Sequence, residues 1–185
     1  MQVEQTILKD CFIIHDNVIQ DQRGYFFESF NQQKFQAQTG LNISFVQDNQ
    51  SKSTKGVLRG MHYQLGEYAQ AKLVRVIEGA VLDIVVDVRI DSPSFGKSFS
   101  LELTSENQKQ LFVPRGFAHG FIVLSETATF FYKCDNFYNK ASEGGFIYND
   151  ATLNFDWQLS QSEIILSEKD NLLPSFNEVK HTFNF

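Results

Sequence analysis

Between Lys72 and Ile90 the chain alternates twice with a period of two residues, the repeat of a β-strand and not of a helix. Lys72, Val74 and Val76 alternate with Leu73, Arg75 and Ile77. After Glu78-Gly79, Leu82, Ile84, Val86 and Val88 alternate with Val81, Asp83, Val85 and Asp87. The segment reads as a β-hairpin turned at Glu78-Gly79. Its second strand carries one apolar face and one mixed acidic face, as expected where one side packs inward and the other is only partly covered.

Further short β-type runs cover Ile43 to Gln50, Ser98 to Leu103, Gln110 to Val113, Gly120 to Leu124 and Thr129 to Cys134. A helix is expected from an N-cap at Asn31 through Phe35 to Thr39, ended by Gly40, and a second near Ser160. Many short strands with so few helices disfavour βαβ units and predict an all-β fold, a β-sandwich or jelly roll. The 185 residues suit one domain, 1–185, with a full core, and no repeat or linker divides them. Phe supplies 19 of the aromatic residues, which suits a sheet core lined with rings. The tail from Pro174 to Phe185 reads as a surface extension or terminal strand. Gln5 to Ile14 reads as an exposed β-type segment fit for edge pairing or exchange between copies.

Charge narrows the function. Sixteen Lys and Arg against 22 Asp and Glu give a net charge of -6, with no basic run, so nucleic acid is not an expected partner. No stretch approaches the ~20 apolar residues of a membrane span. Cys11 and Cys134 are too few for a disulfide framework, and a cytoplasmic, reducing setting is expected.

Chemistry concentrates at His62, in Arg59-Gly60-Met61-His62-Tyr63-Gln64, and at His119, in Pro114-Arg115-Gly116-Phe117-Ala118-His119-Gly120. Both segments resemble cupin motifs. Metal-binding cupins place a second His where this chain has Gln64, and Glu67 stands near their carboxylate position. Two histidines and one carboxylate make a poor transition-metal site, so no metal is expected. His62 reads either as a core imidazole or as a general base near neutrality, sharing a strand face with Gln64 and following Arg59. Asp170, in Ser167-Glu168-Lys169-Asp170, is either the partner of that base or a helix-capping aspartate. Tyr132 shares a face with Phe130 and Cys134 and is either core or catalytic. Lys72 opens a strand on the same parity as Val74 and Val76, and an inward ammonium is costly unless it meets a negative charge, such as a phosphate or an enolate oxygen. Arg23, Gln47, Asp48, Asn49, Arg59 and Lys169 set cations beside amides and suit a polar anionic small molecule. Tyr138 is a candidate stacking platform for a base.

Four motifs, in this order, carry a family resemblance: Asp21 to Glu28, Phe45 to Asn49, Gly56 to Gln64 and Pro114 to Phe121. The chain resembles the dTDP-4-dehydrorhamnose 3,5-epimerases from about Thr6 to Asp170. The resemblance implies a metal-free, cofactor-free cupin jelly roll, usually a homodimer, acting on a dTDP-linked 4-keto-6-deoxyhexose in the rhamnose pathway. It implies His62 as base supported by Asp170, Tyr132 as proton donor on the opposite face, and Lys72 at the C4 oxygen. Arg23, Glu28, Gln47, Asp48, Asn49, Arg59, His119, Glu143 and Lys169 match positions that hold the nucleotide sugar, and Tyr138 matches the thymine-stacking ring. The chain departs from the family's pattern at Ile19, Gln20, Tyr148 and Asn171. Other readings stay open at this point: a single-centre 3- or 5-epimerase, a non-catalytic sugar-nucleotide-binding cupin, and a metal-dependent cupin.

Overall fold

The computed structural model describes residues 1–179. Its strands are β1 (Gln2–Gln5), β2 (Phe12–His15), β3 (Ile19–Asp21), β4 (Gly24–Phe26), β5 (Gln47–Thr54), β6 (Leu58–Gln64), β7 (Lys72–Glu78), β8 (Ala80–Asp87), β9 (Ser98–Thr104), β10 (Gln110–Val113), β11 (Phe117–Val123), β12 (Thr127–Cys134) and β13 (Glu143–Gly145). The helices are α1 (Gln32–Thr39) and the single turns α2 (Glu168–Asn171) and α3 (Phe176–Val179). One sheet runs β1-β2-β10-β7-β12-β5 and the other β13-β6-β11-β8-β9, while β3 and β4 form a separate hairpin. The strand pairings are antiparallel. This is the expected all-β jelly roll.

The hairpin expected over Lys72 to Ile90 does not form. Both strands exist, but β7 pairs with β10 and β12, whereas β8 pairs with β11 and β9. Glu78-Gly79 is a corner where the chain leaves one sheet for the other. Gly79 takes φ +81 there, with no room for a Cβ against the Thr127 carbonyl. Alternation tells which face of a strand is buried; it says nothing of which neighbour its edge will bond.

The acidic face of β8 is also not partly covered. Val81, Asp83, Val85 and Asp87 are buried toward the space between the sheets, where Val81 and Val85 pack with Val74, Val76, Leu111, Phe121 and Phe130. Leu82, Ile84, Val86 and Val88 pack outward under Phe146, Tyr148, Trp157 and Phe176 of the C-terminal segment. A strand covered on both sides reads as nearly continuous hydrophobic sequence, so burial there depends on a chain segment more than 50 residues away, on the order of a separation no local pattern can report.

On the outer face of the six-stranded sheet, α1 forms a third apolar layer. Asn31 caps it by accepting from the Lys34 N–H, and Gly40 ends it in the left-handed region at φ +73, as the sequence predicts. Its one buried side chain, Phe35, meets Phe112 edge-on at 5.3 Å between ring centroids and packs beside Phe30 and Phe45. This explains why the run Ile43 to Gln50 begins late. Ile43 and Phe45 turn to the α1 layer, and the strand starts at Gln47 and continues to Thr54. The helix near Ser160 is only a 3-10 turn, Gln161–Glu163, with a capping box. Gln5 to Ile14 is not one β-type segment: it runs from the end of β1 through a turn bridged by the Thr6 hydroxyl into β2, whose Phe12, Ile13 and Ile14 are buried between β1 and β10. The exposed edge is β1. Of the tail, Phe176–Val179 is helical, and residues 180–185 lie outside the described residues.

Candidate active site

The two sheets open at one end into a cleft. A hollow of about 410 Å³, lined by His62, Lys72, His119, Phe121, Phe130, Tyr132, Arg59 and Asp170 among others, adjoins one of about 250 Å³ lined by Gln47, Asn49, Gln70, Tyr138 and Glu143. His62, Lys72 and Tyr132 line both. The two hollows thus meet at these three side chains.

His62 and Arg59 stand three residues apart on β6, and on a regular strand they would face opposite ways. A bulge reverses this. His62 pairs with His119 and Arg59 with Phe121, so Gly60 and Met61 together oppose Gly120 alone. Gly60 has φ +132, and a Cβ there would collide with the backbone of Gly120, so glycine is required. The extra residue turns Arg59 and His62 to the same side, and the Arg59 guanidinium donates to Ser53 Oγ on β5 at 3.1 Å.

Asp170 reaches this wall from 108 residues away in sequence. The parallel bridge Val57 to Ile165 lays the C-terminal segment beside the start of β6, and Ser167 caps α2 by accepting from the Asp170 N–H at 3.1 Å. The carboxylate Oδ1 then lies 2.7 Å from His62 Nε2. Asp170 is not the helix cap, a place Ser167 takes; it sits in the capped first turn and is the partner of His62. Burial pushes its carboxyl up, but the bond and charge of His62, the Gly60 N–H and Ser167 outweigh burial and hold it below the ordinary aspartate range. With Nε2 held by an anion, Nδ1 is the ring atom left for a proton from the cleft.

The facing wall belongs to the other sheet. Lys72, Tyr132 and Cys134 share the inward face of β7 and β12, with Lys72 the direct partner of Cys134 in the ladder. Lys72 Nζ lies 5.7 Å from the Tyr132 ring centroid. Burial lowers the Lys72 pKa, partly offset by Cys134, Asp83 and Glu143, and burial raises that of Tyr132. The phenol therefore stays protonated at neutral pH. His119 Nε2 lies 2.8 Å from Asp83 Oδ2.

In the second hollow the Gln47 amide donates to Asn49 Oδ1 at 3.1 Å, as their shared parity predicts. Tyr138 is half exposed and donates its hydroxyl to Glu143 at 2.7 Å, and Lys169 pairs with Glu143 at 2.6 Å. Burial pushes Glu143 up, but Lys169 and Tyr138 outweigh it and hold the carboxyl low.

Three expected ligand-binding residues are not brought to this cleft. Arg23 sits on the exposed β3–β4 hairpin, paired with Asp21 at 2.6 Å; Glu28 pairs with Lys34 at 2.7 Å. Asp48 has the parity opposite to Gln47 and Asn49, and strand alternation turns it out to Lys133 at 3.0 Å. Conversely, Ser51, Gln70, Asp83, Phe121 and Phe130 take part in the site without having been singled out. Parity with Asn49, His119 and Tyr132 was the available signal for Ser51, Phe121 and Phe130.

Among the described residues no three His, Cys, Asp or Glu side chains stand together as a metal-binding group. Gln64 is committed to the Asn139 N–H at 2.8 Å, and Glu67 lies in an exposed 3-10 turn.

A jelly roll holding a histidine–aspartate pair on one wall, and a buried phenol with an ammonium on the other, defines a cupin-type protein equipped for acid–base chemistry. A family model described as dTDP-4-dehydrorhamnose 3,5-epimerase matches residues 5–178. The chain is 51% identical over 170 residues to the enzyme of that name from Shigella flexneri, covering 92% of this chain and 93% of that protein. It superposes with a TM-score of 0.93 on the crystal structure of dTDP-4-dehydrorhamnose 3,5-epimerase from Elizabethkingia anophelis, at 57% identity over 96% and 97% of the two chains. A Legionella pneumophila dTDP-6-deoxy-D-glucose-3,5-epimerase in complex with dTDP-4-keto-L-rhamnose matches with a TM-score of 0.94 and 40% identity, covering 100% and 98%. The chain belongs to the dTDP-4-dehydrorhamnose 3,5-epimerase family, and its class of activity is that of an isomerase.

Proposed function

We propose that this protein inverts C3 and C5 of dTDP-4-dehydro-6-deoxy-D-glucose to give dTDP-4-dehydro-L-rhamnose. The observation that carries the reading is that the His62–Asp170 pair and Tyr132 belong to opposite sheets and face one cleft. Inversion needs a base on one face of a carbon and an acid on the other.

The protons at C3 and C5 both flank the C4 ketone and are acidic only while the enolate is stabilised. His62 Nδ1 takes the proton and becomes an imidazolium beside the Asp170 carboxylate. The C–H electron pair moves into the ring and the charge settles on the C4 oxygen, where the Lys72 ammonium balances it. Tyr132 then gives its hydroxyl proton to the same carbon from the opposite face. Each inversion leaves His62 protonated and Tyr132 ionised, so one proton must return from the first wall to the second, through solvent or the cleft groups, before the next. No redox step occurs, and the reaction as written uses no cofactor.

Gln47, Asn49 and Tyr138 suit the base and deoxyribose, while Arg59, His119 and Lys169 suit the pyrophosphate and sugar oxygens; Glu143 orients Tyr138 and Lys169. Arg23, Glu28 and Asp48 have no access to the cleft of their own chain. A homodimer, in which the exposed β3–β4 hairpin with Tyr25 and Phe26 reaches a second copy, gives Arg23 and Glu28 a route to a nucleotide; we propose that state for the single 1–185 domain. Two buried, unpaired cysteines suit a cytoplasmic setting, and no described helix is long and apolar enough to cross a membrane.

Proton NMR of the substrate in D2O tests the reading. Wild type should wash out both the C3 and C5 signals, and His62→Ala neither. Loss of one signal alone identifies a single-centre epimerase, and retention of both with wild type overturns the proposal in favour of a sugar-nucleotide-binding role.

A further inference from the structure

The steps above give no role to a buried carboxylate that stands behind the cleft wall. Asp83, on β8, is fully buried between Val81 and Val85 on the interior face. Its Oδ2 holds His119 Nε2 at 2.8 Å, and its Oδ1 has no hydrogen-bond partner among the described residues. His119 and His62 are direct register partners on β11 and β6, so two imidazoles stand side by side on one wall, each held at Nε2 by a carboxylate. The carboxylates differ in their surroundings. Asp170 is met by Gly60 and Ser167 as well as His62, whereas Asp83 is half unpaired in an apolar setting, an arrangement that costs stability unless a nearby cation compensates it.

The titratable and charged groups around this spot come from seven directions: His119 on β11, His62 and Arg59 on β6, Lys72 on β7, Tyr132 and Cys134 on β12, Glu143 on β13, Lys169 and Asp170 on α2, and Cys11 ahead of β2. Of the cations, Arg59 donates to Ser53 and Lys169 pairs with Glu143, which leaves Lys72. It has no ion pair within 4.0 Å among the described residues, although burial works against its charge. Three groups support that charge: Cys134, Asp83 and Glu143. Glu143 is already committed to Lys169 and Tyr138, and burial drives the Cys134 thiol toward its neutral form. Asp83, bonded to His119 through Oδ2, is the one of the three whose other oxygen has no hydrogen-bond partner among the described residues.

We infer that Asp83 is a positioning residue for the epimerisation, fixing the His119 ring through Oδ2 and acting as the standing counter-charge that keeps Lys72 an ammonium ready for the enolate oxygen. The inference rests on the epimerase reading for what Lys72 does, but the charge relationship is measurable without turnover. Removing a nearby anion favours the neutral amine, so Lys72 loses its proton at lower pH when Asp83 is neutral.

The test is Asp83→Asn, which keeps a carbonyl oxygen for the His119 N–H and removes only the charge. In the variant kcat should fall by about 30-fold or more with KM within about 3-fold, and the alkaline limb of the kcat profile should move down by about one pH unit. In a Lys72→Arg background, where the charge needs no support, Asp83→Asn should leave the limb unmoved. A uniform loss of kcat with the limb in place makes Asp83 merely structural and overturns the inference, as does wild-type kcat. Lysine ¹⁵N NMR titration of Lys72 Nζ in wild type and Asp83→Asn reads the same shift with no substrate. If wild type fails to exchange C3 and C5 while the Nζ shift is present, the epimerase reading fails and the charge relationship stands. Should Asp83→Asn not fold, histidine ¹⁵N NMR of the wild type decides: His119 carrying its proton on Nε2 near pH ~8 supports the inference, and a proton on Nδ1 alone overturns it.

Discussion

Lys72 Nζ lies 5.7 Å from the centroid of the Tyr132 ring, and the same burial moves the two groups in opposite directions, the ammonium toward losing its proton and the phenol toward keeping it. The group that must be charged is therefore the fragile one at high pH. The alkaline limb of kcat should report Lys72 and not Tyr132. Lys72→Arg, whose guanidinium stays charged above pH ~12, should move that limb upward while lowering kcat through changed reach to the C4 oxygen. A pH profile of both proteins, followed by substrate conversion, checks this; an unmoved limb assigns it to another group.

Tyr132→Phe removes the acid from one wall and leaves the base on the other. Inversion should fall by about 10² to 10⁴ while deuterium still enters at C3 and C5 with retention, since His62 can return a solvent deuteron to the face it deprotonated. Product stereochemistry and NMR exchange, measured in one sample, separate the two processes. Loss of exchange and inversion together would place Tyr132 in the first step.

Asp170→Asn keeps an acceptor or donor beside His62 but loses the charge that steadies an imidazolium. We expect kcat to fall by about 10³-fold with KM little changed, because Asp170 meets the ring and not the nucleotide subsite. The carboxyl is held below its usual range in the folded protein, so the stability it contributes is full above pH ~4 and is lost as pH falls through its folded value. Asp170→Asn should flatten the acid side of a Tm-against-pH curve.

Arg89 tests the fold apart from the chemistry. It reaches the fully buried Asp87 at 2.8 Å and Asp10 at 2.9 Å, tying the end of β8 to the N-terminal turn. Arg89→Ala strands a buried carboxylate that only Ser92, Ser94 and the backbone N–H of residue 89 then serve, and should destabilise by about 3–5 kcal/mol in urea unfolding while leaving kcat of the folded fraction unchanged. A loss below about 1 kcal/mol would mean the serines suffice.

Much of the local structure was legible because it is locally caused. The alternation from Lys72 to Val88 sets two strands, and the Asn31 cap and Gly40 bound the helix around Phe35, since period and capping act over a few residues. β5 was half hidden for a physical reason. Its inward Gln47, Asn49, Ser51 and Ser53 face a polar cleft, so the strand lacks the apolar face by which strands are recognised.

The sequence by itself determined which residue types were available and which strand faces they occupy: an imidazole at His62, a phenol at Tyr132, an ammonium at Lys72, and the outward turn of Asp48. Tertiary structure decided who meets whom. It separated β7 from β8 at Gly79, brought Asp170 across 108 residues to His62, turned Arg59 to the same side through the bulge at Gly60, buried Asp83 against His119, and left Arg23 and Glu28 on the outside. Strand pairing and the covering of a sheet face are long-range choices, set by the packing of the whole chain and not by the period of any one segment.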